Sequence, residues 1–489
     1  MKKTRLASAI LLALAPMGAM ATNGMNMEGY GPIATGMGGA SFAYDNGTAA
    51  VINNPATLGL MQSGTSRLDV ALGGLHPDVR TSPATGGSAL DSSATAFYMP
   101  GIGYVRKDGK IAWGAGMMAQ GGMGTEYSSG AFWGSLTGFS GTGPYSVTDP
   151  GYTNRSEVGV GRIMFPLAVD VNDKLVVGGS LDYVWAGMDI QWLIDGSHFG
   201  DMMNPALGFG STQRFGTVGG TMVDAMVGAM GAGALTGISW GYFDFSNSNK
   251  MSGKATARGL AGKLGFTYKV NQQLSIGGVY HAKTNLSDME GSARVGFNGT
   301  GPIFGGGAVF VNGKIKVRDF QWPETFGLGF SYKPNDKWQI VGDYKNIDWA
   351  GVMKQFKMTF EASGDNIGAA AGFNNTALDM TFRQDWKRQN VFMIGAAYKW
   401  TDQTTVRFGA NLADNPVPDQ FMSPLFPAII KNHVTAGVGH AFSKVSSLDF
   451  SLVYAPKVTA TNSWGASGGS NQTTSHSQTN WQVMYSHRF

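Results

Sequence analysis

The sequence predicts an all-β transmembrane antiparallel barrel of about fourteen strands. Three observations carry this: runs that alternate apolar and polar residues, a chain poor in charge but rich in aromatics, and connections that are short and long by turns. Leu264, Phe266, Tyr268 and Val270 alternate with Lys263, Gly265, Thr267 and Lys269. Leu274, Ile276, Gly278 and Tyr280 alternate with Ser275, Gly277, Val279 and His281, and Val406, Phe408, Ala410 and Leu412 with Thr405, Arg407, Gly409 and Asn411. A soluble sandwich alternates too. Only 14% of these residues are charged, however, against about 25% in an ordinary soluble domain, and tyrosine or tryptophan stands near the run ends, as in a membrane barrel.

The chain opens with an address. Lys2, Lys3 and Arg5 form a cationic region, 6–15 an apolar one, and Ala19-Met20-Ala21 a small-x-small cleavage site, so residues 1–21 are expected to leave as an export signal. The apolar run is too short to span about 30 Å of hydrocarbon. The formal charge of +4 falls when these three cations leave, and no basic patch remains to argue for nucleic acid. With no cysteine among 489 residues, disulfides, thiolate metal sites and cysteine nucleophiles are excluded.

Residues 22–61 read as neither strand nor tail. Glycine recurs, including Gly38 and Gly39, and no helical stripe or lasting alternation appears. The segment is too apolar for a solvated tail, so it must fold inside something else. Pro55 fixes its own φ and biases Asn54 towards extended backbone, so Asn54-Pro55-Ala56 can anchor a defined turn.

From 62 to 489 the chain reads as barrel. Short polar turns fall at 107–110, 172–174, 271–273, 334–337, 401–403 and 444–447. Long Gly-, Ser- and Asn-rich loops fall between them, at 77–94, 119–155, 191–255, 286–312, 350–382, 413–431 and 460–475. Periplasmic turns and extracellular loops differ in this way. The last run, Trp481 to Phe489, must pair with the first, near Arg67 to His76, to leave no edge in lipid.

Candidate functional positions follow from local irregularities. In the run from Ile111 to Gln120, Ile111, Trp113, Ala115 and Met117 share a face, while Gly116 thins the other and Gly121, Gly122 and Gly124 follow at once. Glycine inside a strand often marks a bulge, bend or close approach, so a lateral portal is expected here, against the plain alternative of a loop starting at Gln120. If the 107–110 turn sets the hairpin register, Ala96 lies opposite Gly121. Met222, Met226 and Met230 have helical spacing within the longest loop and are candidates for an adaptable ligand groove, or simply a helix packed on the rim. Lys263, Asp343, Lys345 and Arg407 fall on the polar faces: a basic group there suits a carboxylate head, but pairing across the lumen or holding an inner segment is the more common use.

Catalytic signals do not assemble. Gly237-Ile238-Ser239-Trp240-Gly241 and Gly465-Ala466-Ser467-Gly468-Gly469 both match G-x-S-x-G, but a nucleophile elbow needs a strand-turn-helix setting that neither has. There is no H-E-x-x-H pair, Walker loop or dinucleotide fingerprint, and no cofactor or metal is expected.

Asn54-Pro55-Ala56 after a glycine-rich stretch resembles the hatch motif of the FadL-type long-chain fatty-acid transporters. The resemblance extends to Gly121-Gly122-Met123-Gly124-Thr125-Glu126-Tyr127, Val406-Arg407-Phe408-Gly409, Asn415-Pro416-Val417-Pro418-Asp419, Ser423-Pro424 and the final aromatic strand. It implies a barrel whose lumen is plugged by residues 22–61, in the bacterial outer membrane. It further implies uptake of a hydrophobic small molecule by diffusion past the plug and sideways release into outer-membrane lipid. Long-chain fatty acids come first, with alkanes, aromatics or terpenoids as competitors. A terminal Phe489 looks like a signal to the outer-membrane assembly machinery, and a monomer is expected. The rivals are an outer-membrane lipid hydrolase, which lacks a site, and a general porin, which needs no apolar plug.

Overall fold

The structure, a computed structural model, describes residues 23–86, 89–127, 150–208, 211–248, 253–305, 307–463 and 471–489. The expected export signal and the second G-x-S-x-G match lie outside the described residues. The chain starts with a short helix, α1 (Pro32–Thr35), and two 3-10 turns, Gly47–Val51 and Pro55–Leu60. Then come β1 (Thr65–Pro83), β2 (Leu90–Asp91), β3 (Phe97–Asp108), β4 (Ile111–Tyr127), β5 (Asn154–Asp170) and β6 (Leu175–Asp195). Next are α2 (Gly196–Asp201), β7 (Gly216–Gly219), α3 (Thr221–Gly231) and β8 (Gly237–Phe245). The middle holds β9 (Ala255–Lys269), β10 (Leu274–His281), β11 (Asn285–Leu286), β12 (Met289–Thr300), β13 (Val309–Arg318), β14 (Thr325–Tyr332) and β15 (Trp338–Ile347). The chain ends with β16 (Gln355–Ala362), β17 (Ala377–Arg383), β18 (Gln389–Lys399), β19 (Thr404–Ala413), β20 (Asn432–Ala441), β21 (Ser446–Thr461) and β22 (Gln472–Arg488).

Antiparallel pairing forms a closed circuit. It runs from β1 through β3, β4, β5, β6, β9 and β10. It continues through β14, β15, β18, β19, β20, β21 and β22. The last strand then returns to the first, with Arg67 opposite Arg488 and Pro83 opposite Gln472. The expected closure is thus present, and it satisfies the backbone groups that lipid cannot.

The sheet as a whole holds 22 strands, where the sequence suggested about fourteen. The excess comes from segments read as loops. At its outer end β6 leaves β9 and pairs with β8, from Ile190 opposite Phe245 to Asp195 opposite Trp240. β8 pairs with β12, β12 with β13, β13 with β16, β16 with β17 and β17 with β7. Strands β7, β8, β12, β13, β16 and β17, from segments read as long loops, therefore extend the wall outward instead of hanging from it.

The short turns all lie at the other end, beside both ends of the circuit. Asn172, Asn271 and Asn335 repeat one device: the side-chain oxygen accepts from the main-chain N–H groups two and three residues on, at 2.8–3.0 Å. Thr401 and Ser443 do the same with their hydroxyls. A side chain that imitates a backbone turn needs no further residues, which keeps these connections short.

Alternation places the faces as expected. Leu264 is 69% exposed on the outside while its neighbour Lys263 is buried inside. Leu72, Ile102, Phe165, Leu181, Phe392, Phe408 and Leu452 join the apolar outer surface, where hydrocarbon contact replaces burial in a core.

Residues 23–61 lie within the circuit and touch it on many sides. The carboxylate of Asp45 accepts two bonds from the Arg67 guanidinium of β1, both at 2.9 Å. Asp343 of β15 accepts from the N–H groups of Ser41 and Phe42 at 2.5 and 3.1 Å. Thr435 of β20 accepts from the Gly38 N–H at 2.9 Å, and Gln482 of β22 donates to the Gly29 carbonyl at 3.1 Å.

Glycines of the wall make room for it. Gly103 pairs with Gly116, Gly178 with Gly265, and Gly395 with Gly409. A Cβ at Gly178 would stand 2.7 Å from the Ala56 nitrogen, and one at Gly409 would stand 2.4 Å from the Gly38 nitrogen. Real atoms do not approach so closely. Wall and segment therefore meet backbone to backbone, which accounts for part of the high glycine content.

Candidate functional site

Asn54 carries the turn that the sequence singled out. Its backbone is extended, at φ −144 and ψ 106, and its side-chain oxygen accepts from the Ala56 N–H at the start of the Pro55–Leu60 turn. Its amide donates to the Phe42 carbonyl at 2.8 Å and to the Phe266 carbonyl of β9 at 3.2 Å. Asn54 thus joins turn, segment and wall. Gly38 and Gly39 have φ of +73 and +88, and a Cβ on Gly39 would meet the Glu28 carbonyl oxygen at 2.0 Å, so only glycine fits.

Above the segment, towards the outer rim, lies an apolar cavity of about 670 Å³. Met25 and Met123 belong to its lining, with Trp192, Phe215, Phe320, Phe356, Phe382, Trp386, Phe421 and Phe426 among its walls. The rings brace each other: Trp192 and Phe382 lie 4.6 Å apart, and Phe215 and Phe421 meet edge to face at 6.1 Å. Two polar groups in the lining are tamed. Arg383 lies 4.9 Å over the Phe421 ring and donates to Asp385 at 2.6 Å. Burial pushes the His198 imidazole below its ordinary pKa, so the ring is neutral at neutral pH. The result is a greasy chamber whose one formal cation already has a counter-ion.

Beside the segment a second space opens towards the lipid. β3 and β4 pair only from Asp108 opposite Ile111 to Gly101 opposite Met118. Beyond that point β3 continues along β1 alone, and β4 along β5 alone. A cleft of about 480 Å³ lies between them, lined by Met27 and Tyr30 within and by Leu72, Pro100, Ile102, Met118 and Ala119 of the wall.

A β-bulge causes the separation. The ladder to β5 shifts between Ala119 and Gly121, leaving Gln120 unpaired. An extra residue reverses the alternation. Gly116 faces inward against Val51, and Gln120 bonds inward to Arg162; after the bulge it is Gly121 and Met123 that face inward. The register expected for this hairpin was wrong: Gly121 pairs with Val160 of β5, not with Ala96. The turn is as short as assumed but sits one residue further along, with Asp108 opposite Ile111 in place of Lys107 opposite Lys110, which moves the register by two residues.

Residues 23–27 divide cavity from cleft. Asn26 bridges to Gly121, and the Gly122 N–H donates to the Met25 carbonyl at 3.0 Å. A Cβ on Gly121 would stand 2.0 Å from that carbonyl oxygen, so glycine lets the strip lie on the strand. Gly116 receives Val51 in the same way, while a Cβ on Gly124 would press on the Ser156 carbonyl of β5. Trp322 donates from its indole to Asn26 at 2.7 Å, and Tyr30 donates to the bulged Gln120 carbonyl at 2.6 Å.

The other candidates are placed apart from the cavity. Met222, Met226 and Met230 lie on α3, which packs against β7 and β17, and none of them lines the chamber. The apolar stripe of that helix is spent on packing. Arg407 pairs with Asp449 at 2.8 Å, Lys263 pairs with Asp182, and Asp343 holds the segment. Lys345 lines an inner polar space with Glu28, Asn53, Gln120 and His281. The first G-x-S-x-G match runs along β8, an antiparallel strand with no elbow. Among the described residues no group of three His, Cys, Asp or Glu is placed to hold a metal ion.

The aromatic walls escaped the sequence reading. They come from Trp192, Phe215, Phe382, Trp386 and Phe421, which are far apart in the chain. The available signal was the presence of large aromatics in segments otherwise rich in glycine and asparagine.

A closed barrel with an internal segment and an apolar outer chamber has known relatives. A family model described as "Outer membrane protein transport protein (OMPP1/FadL/TodX)" matches residues 9–486. The chain belongs to this family. The crystal structure of the P. putida toluene transporter TodX covers 94% of this chain and 99% of its own, at 27% identity and a TM-score of 0.77. That of the Ralstonia pickettii toluene transporter TbuX has 31% identity, the same coverages and a TM-score of 0.71. The long-chain fatty acid transport protein of Escherichia coli (strain K12) is 23% identical over 446 residues, 88% of this chain and 86% of that one. A stretch of 73 residues is 53% identical to an uncharacterized protein from Chlorobium limicola; it is 15% of this chain and spans only 36% of that relative. As a member of the FadL/TodX family the protein is an outer-membrane transporter of hydrophobic compounds and not an enzyme.

Proposed function

We propose that this transporter takes up compact, uncharged apolar molecules, with monoaromatic hydrocarbons ahead of long-chain fatty acids. The observation that carries this order is the chamber itself: aromatic on most sides, with Arg383 already neutralised by Asp385. A carboxylate entering such a space loses its hydration and finds no free cation, whereas an uncharged ring loses little. That TodX and TbuX are titled toluene transporters supports the same order. The resemblance seen in the sequence put fatty acids first, and the E. coli relative keeps that reading as the alternative.

In this reading residues 22–61 are a plug that closes the lumen to polar solutes. The passenger settles between Met25 and Trp386, displaces the 23–27 strip, and leaves through the cleft beside β4 into the lipid. The protein works as a monomer, and Phe489 serves assembly.

Uptake of labelled toluene and labelled oleate by cells lacking and carrying the protein tests the order. Toluene uptake is expected to depend on the protein and to fall in Trp386→Ala, with oleate taken up weakly. Protein-dependent uptake of oleate without toluene would reverse the assignment.

A further inference from the structure

Inside the wall, level with the bulge, lie three charged side chains that neither cavity nor cleft uses. Arg162 of β5, Asp182 of β6 and Lys263 of β9 are at most 3% exposed. Asp182 accepts from Arg162 at 2.8 Å and also from Lys263, and it takes a third bond from the Ser180 hydroxyl at 2.6 Å. Two cations thus share one anion. Buried charges are costly unless paired and hydrogen-bonded, and an ion pair of one cation with Asp182 would have been enough for balance.

The second cation has further work. Arg162 stands opposite Met118, the last residue of β4 that pairs with β3. Its Nε donates to the side-chain oxygen of Gln120, the residue left unpaired by the bulge. Lys263 makes no such contact. Gln120 is therefore held at both ends: its side chain by Arg162, and its carbonyl by the Tyr30 hydroxyl. Without those bonds the side chain and carbonyl of the bulged residue lose their inward partners, and only the 23–27 strip and the shifted ladder to β5 keep β4 from a regular ladder against β3.

We infer that Arg162, fixed by Asp182, is a positioning residue that holds the Gln120 bulge and so keeps the cleft between β3 and β4 open. The inference rests on the reading that the cleft is the exit. It extends that reading by naming what sets the width of the exit.

The chain has no cysteine, so a single one at Ala119, which lines the cleft, reports access from the lipid. The measurement is its rate of reaction with a membrane-partitioned long-chain maleimide, in cells, beside the rate of toluene uptake. Arg162→Met leaves Asp182 paired with Lys263, and Lys263→Met leaves it paired with Arg162. Neither variant orphans a charge, and heat-modifiable gel migration confirms that each barrel is folded.

Arg162→Met and Gln120→Leu are each expected to slow labelling and uptake about tenfold, the shift in an equilibrium that one charge-assisted hydrogen bond supports. The double variant should be no slower than either single one, since both remove the same bond. Gln120→Glu, which keeps a partner for Arg162, should label like the native protein, and so should Lys263→Met. Unchanged labelling in Arg162→Met would overturn the inference, and so would equal losses in Arg162→Met and Lys263→Met, which would make the cluster merely structural. Slow labelling with full uptake would uphold the positioning role and remove the exit from this cleft.

Discussion

The two halves of the N-terminal segment are held in opposite ways. From Asp45 to Met61 charged bonds to the wall stand beside the neutral ones of Asn53 with His281 and Asn54 with Phe266. Arg67 grips Asp45 with two bonds at 2.9 Å, Asp69 accepts from the Thr48 N–H at 2.7 Å, and Lys107, paired with Asp170 at 2.6 Å, also donates to the Gly59 carbonyl. From Asn23 to Met27 the bonds are neutral and few: one from Trp322 to Asn26, one from Gly122 to Met25, and a small internal bridge between Asn23 and Asn26. The Asn23 side-chain amide has no hydrogen-bond partner among the described residues. Charge-assisted bonds are roughly twice as strong as neutral ones. The stretch from Asp45 onwards, of which Thr48 and Ala49 also border the cleft, is thus moored, and the strip between cavity and cleft is lightly tethered. Under the proposed plug, this division lets an apolar molecule pass without leaking water-soluble ones.

The comparison can be broken most severely by deleting residues 24–52. The barrel should still assemble, and permeability to small sugars, measured by liposome swelling, should rise from background to that of an open pore. Unchanged permeability would show that the segment is no plug. Arg67→Met removes both bonds to Asp45, a loss of about 2–3 kcal/mol for charge-assisted pairs. It should produce partial sugar leakage without loss of the barrel, and a tight variant would locate the mooring elsewhere.

Acid should reproduce that loosening. Burial alone would raise the Asp45 carboxyl, but the Arg67 guanidinium and its hydrogen bonds outweigh burial and hold it below its ordinary pKa. A carboxyl depressed in the folded state stabilises that state above its unfolded pKa, about 4, and the contribution is lost as pH falls through the folded value. Sugar leakage should therefore begin only below about pH 4, and in Arg67→Met, where burial acts on Asp45 without its counter-ion, acid should no longer increase the leak. Leakage that set in near neutrality would assign the loosening to another group.

The smallest effect is expected at the tethered end. Trp322→Phe removes one neutral hydrogen bond, worth about 1 kcal/mol. The initial rate of toluene uptake should rise a few-fold at most, with no sugar leak, because the moored half stays in place. A leak in this variant would erase the distinction between the halves.

Much of this molecule is legible one residue at a time. Alternation around Leu264 and Lys263 states which face meets lipid, because in a strand the period of two leaves no choice. Asn172, Asn271 and Asn335 announce turns because their side chains close them locally. The role of Asn54 follows from Pro55 beside it. The glycine run after Gln120 marked the irregular strand, but the hairpin register was misjudged because the turn sits one residue further along, and the bulge itself depends on partners such as Arg162 and Tyr30 that lie far off in the chain. The aromatic chamber was illegible for the same reason: Trp192, Phe215 and Trp386 meet only after the outer strands pair, and nothing local records that meeting. Met222 and Met226 show the reverse case: the helical spacing was legible, and of the two uses it allowed the helix takes packing on β7 and β17.

The seat of the N-terminal segment has a consequence for the order of events at biogenesis. Its bonds are made by Arg67 and Asp69 on the first strand, by Asp343, Asn411 and Thr435 further along, and by Asn480 and Gln482 on the last. Gln482 stands opposite Gly73 across the seam where the first and last strands meet. The part of the chain that emerges earliest during export therefore waits for the part that emerges last. The seat of the segment is therefore complete only when the seam is sealed.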